Sequence, residues 1–89
     1  MHILGIDYGT KRFGFALGDT DRHIAFPRDV VEGRDKSLDY VDRMIDQEGV
    51  SKVVIGTPVR HGGDEGTLAT DIRAFGQEIM EKFGVEVMF

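Results

Sequence analysis

The sequence predicts an α/β domain on a mixed sheet, with elements in the order β-β-β-α-β-α-β. Three observations carry this. Apolar runs at 2–7, 12–18 and 23–31 are separated only by short turn-forming stretches, which suits an antiparallel meander. The segment 67–83 repeats apolar residues at helical spacing. Two short apolar strands, 53–56 and 85–89, bracket that segment as a βαβ unit does, so they should run parallel with a right-handed crossover.

Residues 2–7 read as a strand buried on both faces, because Ile3, Leu4 and Ile6 interrupt their apolar run only with Gly5 before Asp7. The stretch Tyr8-Gly9-Thr10-Lys11 is turn material, and Arg12 to Gly18 alternates into a second strand. A third strand follows at 23–31. Pro27 places it at an edge, since proline cannot donate to a ladder.

Over 35–48, Leu38, Val41, Met44 and Ile45 fall on one side of a helix, and Gly49 stops it. Residues 53–56 form a short buried strand. The helix 67–83 carries Leu68, Ile72, Phe75, Ile79 and Phe83 on one face and ends before Gly84, and residues 85–89 form the last strand. Phe13, Phe15, Phe75 and Phe83 are expected in the core rather than as base-stacking platforms. No repeat, linker or low-complexity stretch divides the chain, so 1–89 is read as one domain.

At 89 residues, the fraction of surface removed from water on folding is modest, and the stability margin is correspondingly thin. The absence of cysteine excludes disulfides and thiolate metal sites and suits a cytoplasmic protein. No apolar stretch approaches membrane-spanning length, so no membrane partner is expected. The formal charge of −5 excludes a uniformly basic nucleic-acid binder. The acids concentrate in the two helical segments, six against three Lys/Arg over 32–48 and four against two over 67–89, as water-facing helix surfaces would have them.

Two clusters could carry chemistry. Asp7 ends an apolar strand and is followed by Gly9, Thr10, Lys11 and Arg12. It reads either as a turn cap that bonds backbone N–H groups and pairs with Lys11 or Arg12, or as a strand-end carboxylate for a hard cation. The second cluster runs from Gly56 to Gly66 through Thr57, Pro58, Arg60, His61, Asp64 and Glu65, between the fourth strand and a helix. Open α/β sheets bind ligands at that place, but acids before a helix also simply complement its dipole. The topology can set both clusters side by side, one carboxylate from each making a divalent-ion site with Lys11, Arg12, Arg60 and His61 nearby for phosphates. His2 and His23 read as surface residues rather than ligands.

The segment Gly5-Ile6-Asp7-Tyr8-Gly9-Thr10-Lys11-Arg12-Phe13-Gly14-Phe15-Ala16 resembles the opening motif of the YqgF/RuvX family of Holliday junction resolvases and pre-16S rRNA nucleases. Gly56-Thr57-Pro58, with Gly63-Asp64-Glu65-Gly66 after it, resembles that family's second motif, and the spacing agrees along the whole chain. The resemblance implies a ribonuclease H-like fold and a metal-dependent nuclease. Its activity would be 5′-end processing of pre-16S rRNA or cutting of Holliday junction-type DNA, with Mg²⁺ or Mn²⁺ as cofactor. Asp7 matches the family's strand-one catalytic aspartate and Glu65 its loop glutamate, which makes them the expected catalytic and metal-holding pair. Thr10, Lys11, Arg12, Arg60 and His61 are the expected nucleic-acid contacts.

The chain departs from the family pattern where Arg60, Gly62 and Asp64 stand in place of its usual Asn, Asp and Ser. In the family the strand matching 85–89 runs on into an Asp-Glu-Arg-Leu-Thr segment and a further helix with another acid. The expectation is therefore a domain lacking the family's C-terminal helical part, either a truncated chain or one completed by a second copy through its uncovered last strand. Two alternatives accompany the nuclease reading: a catalytically inactive remnant that binds nucleic acid or a ribosome-associated partner, and a fragment of an actin-like ATPase, whose first phosphate loop Gly5-Ile6-Asp7-Tyr8-Gly9-Thr10 also resembles.

Overall fold

A computed structural model describes residues 1–56 and 65–89, with side chains for 1–56 and 68–89. The elements follow the expected order: β1 (His2–Asp7), β2 (Arg12–Asp19), β3 (Ile24–Glu32), α1 (Arg34–Glu48), β4 (Val50–Gly56), α2 (Glu65–Phe83) and β5 (Glu86–Met88). The sheet order is β3-β2-β1-β4-β5. β1 pairs antiparallel with β2 and parallel with β4, and β4 pairs parallel with β5, so the sheet is mixed.

β3 is an edge strand, as Pro27 required. Its register with β2 slips there: Phe15 faces Asp29 while Ala16 faces Pro27, so Arg28 is the extra residue of a bulge. His23 is not part of the strand. It sits in the β2–β3 turn at φ 55°, and β3 begins one residue later. β4 begins at Val50, earlier than the apolar run suggested: Val50 pairs with His2 and Lys52 with Ile3, and the exposed Ser51 is the extra residue between them.

Both helices are closed by glycine. Gly49 takes the left-handed conformation that ends α1, and Gly84, at φ 67°, bonds back to the Met80 carbonyl at 2.9 Å. At the start of α1, Ser37 returns both its amide and its hydroxyl to the Gly33 carbonyl, at 3.1 and 2.7 Å, so its full burial leaves no polar atom unpaired.

The core lies on one side of the sheet. Leu4 and Ile6 of β1, Phe13 and Phe15 of β2, and Val53 and Ile55 of β4 meet Leu38, Val41 and Met44 of α1 and Ile72, Phe75 and Ile79 of α2. Tyr40 joins them, packing its ring 4.4 Å from Phe15 and donating its hydroxyl to Asp29 Oδ2 at 2.8 Å. Phe83 and Leu68 are only partly buried.

The expectation that β1 is buried on both faces does not hold. Leu4 and Ile6 are buried, whereas Ile3 and Gly5 are half-buried and Asp7 is exposed. The helices cover one face only, and an unbroken apolar run cannot by itself tell one covered face from two.

Candidate metal and nucleic-acid site

Asp7 closes β1 at its C-terminal end and faces away from the helices. Across the sheet it pairs with Gly14 of β2 on one side and Gly56 of β4 on the other. One row further in, Gly5 pairs with Ala16 and Val54. These small residues form the floor of an open groove of about 780 Å³, walled on one side by Pro27 to Val30 of β3. A central-strand carboxylate thus stands on a rigid floor with only glycine beside it in the two ladders, which leaves room among the described residues for a ligand as large as a nucleic-acid backbone.

Among the described residues no hydrogen bond or ion pair engages Asp7, so the turn-cap reading finds no support in its contacts. Arg12, its suggested partner, lies instead opposite Glu32 in the β2–β3 ladder, Nε to Oε1 at 3.5 Å. Both side chains are about three-quarters exposed, and a pair so open to water adds at most about 1 kcal/mol. Thr10 and Lys11 are exposed in the turn. The Lys11 carbonyl accepts from the Gly33 amide at 3.0 Å, tying the turn to the start of α1.

The turn is shaped by steric need as well. A Cβ at Gly9 would collide with the Arg12 carbonyl oxygen, so only glycine lets the chain double back so tightly.

Of the second cluster, the described residues include only its two ends. Gly56 is Asp7's ladder partner, and Glu65 is the first residue of α2. Arg60 and His61 lie outside the described residues, and so does the side chain of Glu65. Among the described residues no three acids or histidines gather where they could share a metal ion. Asp7 is the one predicted metal-holding residue whose side-chain position the structure gives.

Sequence reasoning passed over Tyr8 by reading it as turn material. It is buried, with its ring 4.7 Å from Phe13 and 5.4 Å from Phe75, both edge-on. Burial raises the pKa of its hydroxyl, as does the charge of Asp71; the positive charge of Arg34 acts in the opposite sense. Arg34 also lies 5.4 Å over the Phe75 ring and reaches Glu78 Oε1 at 2.7 Å. The available signal was the two-residue alternation of β1, which carries Leu4 and Ile6 on to Tyr8 on the same face.

A mixed sheet of order 3-2-1-4-5, with an antiparallel meander, parallel β4 and β5, and a carboxylate ending its central strand, defines a ribonuclease H-like domain. Residues 1–89 match the family described as RuvX, Holliday junction resolvase, and the chain belongs to that family. A protein of Anaplasma marginale (strain St. Maries) named "Putative pre-16S rRNA nuclease" is 36% identical over 87 residues, covering 96% of this chain and 55% of the relative. In general the chain spans about half to two-thirds of the length of the curated relatives it matches.

Two solved structures share the fold at low identity. T. thermophilus RuvC, solved in complex with Holliday junction substrate, superposes with a TM-score of 0.70 at 15% identity, covering 98% of this chain and 62% of RuvC. A protein of Bacteroides thetaiotaomicron with actin-like ATPase fold and unknown function gives 0.51 at 8% identity, covering 99% of this chain and 32% of its own. The sheet alone therefore does not separate nuclease from ATPase. No helix among the described residues is long and apolar enough to cross a membrane.

Proposed function

We propose that this chain carries the nuclease core of its family, a metal-dependent hydrolase of phosphodiester bonds in structured nucleic acid. Its substrates are the 5′ end of pre-16S rRNA or branched DNA of the Holliday junction type, and it acts in the cytoplasm. The observation that carries this reading is the placement of Asp7: exposed, unpaired among the described residues, and bordered by Gly14 and Gly56 in the open groove.

That setting fits a hard cation. Mg²⁺ is commonly held by one or two carboxylates and completes its shell with water and substrate phosphate oxygens. Asp7 offers the oxygen donors and the space, and Glu65, at the start of α2, is the second donor in this reading. Bound there, Mg²⁺ or Mn²⁺ would supply Lewis-acid stabilisation of phosphate charge and a more acidic water.

The protein's own part is positioning. Lys11 and Thr10 on the turn hold backbone phosphates in this reading, and Arg60 and His61, which lie outside the described residues, are proposed as further phosphate contacts. Arg12 exchanges its exposed partner Glu32 for a phosphate at little cost. The rigid sheet keeps the carboxylate in one place while the substrate is drawn over the small-residue floor.

A binding-only reading rests on one observation, that among the described residues no three acids or histidines gather where they could share a metal ion. Incubating the chain with Mg²⁺ or Mn²⁺ and either a pre-16S 5′-end RNA or a four-way DNA junction separates the two. The nuclease reading expects cation-dependent cleavage that falls about a hundredfold or more in Asp7→Asn, the scale on which one electrostatic group acts. Salt-sensitive binding without turnover would favour the second reading, and cleavage undiminished in Asp7→Asn would contradict the role given to Asp7.

A further inference from the structure

β3 is the outer strand of the sheet among the described residues, so every other residue of its backbone faces away from β2. The Gly33 amide donates to the Lys11 carbonyl at 3.0 Å, which extends the β2–β3 ladder one position past the Arg12 and Glu32 pair. Antiparallel pairs alternate between those that exchange N–H···O bonds and those that do not. Counting back from Gly33, Val31 bonds to β2, while Val30 and Glu32 turn their N–H and C=O groups outward. The bulge at Arg28 and the missing N–H of Pro27 interrupt the outer edge further along, which leaves 30–32 as a regular stretch.

Beside that stretch lies a cleft of about 280 Å³ between β3 and α1. Val31 and Met44 supply its apolar wall, and Tyr40, Arg43 and Gln47 line it from α1. Lys36 precedes Tyr40 by one helical turn and lies exposed on the same row. The charges here do not balance. Asp29 receives the Tyr40 hydroxyl at 2.8 Å, Glu32 faces Arg12 at 3.5 Å, and Arg28 is held by Glu48 at 3.1 Å. Arg43 stands 5.4 Å from the centre of the Tyr40 ring, but among the described residues neither it nor Lys36 has an acidic partner.

We propose that this cleft receives an extended acidic segment of a protein partner, which adds as a strand beside Val30 and Glu32 and sets a carboxylate against Arg43 and Lys36. Main-chain bonds to an open sheet edge supply affinity in this mode of recognition, and pockets for alternate side chains supply specificity. Side chains on the helix side of the added strand enter the cleft, where the methylenes of a glutamate meet Val31 and Met44 and its carboxylate meets Arg43. Those on the other side lie next to Val30, which is 68% exposed. A phosphodiester backbone fits less well, because it offers acceptors only and would meet the acids Asp29 and Glu32. The inference does not depend on the role given to Asp7.

The test uses a fluorescein-labelled synthetic peptide of alternating glutamate and valine, with affinity read by anisotropy and the contact surface by amide shifts of the ¹⁵N-labelled chain. The amides of Val30 and Glu32 should shift while that of Leu4 does not. Affinity should fall about tenfold or more in Arg43→Glu and in Lys36→Glu, where a like charge replaces an opposite one. Both residues are exposed, so both variants should melt as the wild type does. Two changes leave the protein itself untouched: lysine in place of the peptide's glutamates, and methylation of its backbone nitrogens. Each should weaken binding to the same degree.

Absence of binding, equal affinity for the glutamate and lysine peptides, affinity kept in Arg43→Glu, or shifts that leave out Val30 and Glu32 overturns the inference. So does a duplex RNA, or a rising concentration of the chain itself, that shifts Val30 and Glu32 where the peptide does not, since the edge then serves nucleic acid or a second copy.

Discussion

Asp7 and Gly14 face each other across the β1–β2 ladder, and a Cβ placed on Gly14 would lie 3.5 Å from the Asp7 Cβ. That is an ordinary van der Waals distance, so alanine fits there and anything longer projects over the carboxylate. Gly14→Ala should leave stability unchanged or raise it by up to about 1 kcal/mol, since glycine weakens a strand. Gly14→Leu should fold as well but weaken cation binding about tenfold or more by crowding Asp7. Urea unfolding and Mn²⁺ titration of the two variants check this.

Gly9 is constrained differently. Its missing Cβ leaves room for the Arg12 carbonyl oxygen, a backbone atom that cannot step aside without opening the turn. Gly9→Ala should therefore cost about 2 kcal/mol or more, within the range for overpacking, and should shift the urea midpoint downward.

The apolar spacing Leu68, Ile72, Phe75, Ile79 and Phe83 made α2 legible, and Gly49 and Gly84 announced where both helices stop. Asp7 stood out as a carboxylate at the end of an apolar strand. What stayed hidden depended on tertiary neighbours. Tyr40 and Ser37 are buried on α1 because Asp29 and the Gly33 carbonyl satisfy their hydroxyls, partners that periodicity does not reveal. The glycine floor around Asp7 needed the register of three strands, and the burial of one face of β1 rather than two needed the position of both helices.

Tyr40 offers a test of one such hidden partner. Its hydroxyl donates to Asp29 Oδ2 at 2.8 Å, linking α1 to the edge strand. Tyr40→Phe keeps the ring against Phe15 and should cost about 1–2 kcal/mol in urea unfolding. Burial, then the hydrogen bond and charge of Asp29, raises the Tyr40 pKa above 10.0. The native state thus favours the neutral phenol, and this contribution is complete below pH 10.0 and is lost as pH rises through the native value. Tyr40→Phe should accordingly soften the alkaline decline in melting temperature.

Glu78 gives the opposite end of the pH scale. Hydrogen bonds from Arg34, then from Lys82, hold its carboxyl below the usual 4.5. A depressed carboxylate stabilises the native state above pH 4.5, and the effect is lost as pH falls through the lower native value. Melting curves on the acid side of that pH should decline less steeply in Glu78→Gln than in the wild type.

The central claim is that Asp7 receives a divalent cation in the open groove. Mn²⁺ broadens NMR resonances close to where it binds, so titrating it into the ¹⁵N-labelled chain reads the site residue by residue. The account predicts broadening first at Asp7, Gly14 and Gly56, and its disappearance from those residues in Asp7→Asn. Broadening centred on the exposed acids of α1, Asp39, Asp42 and Asp46, with Asp7, Gly14 and Gly56 unaffected, would contradict it.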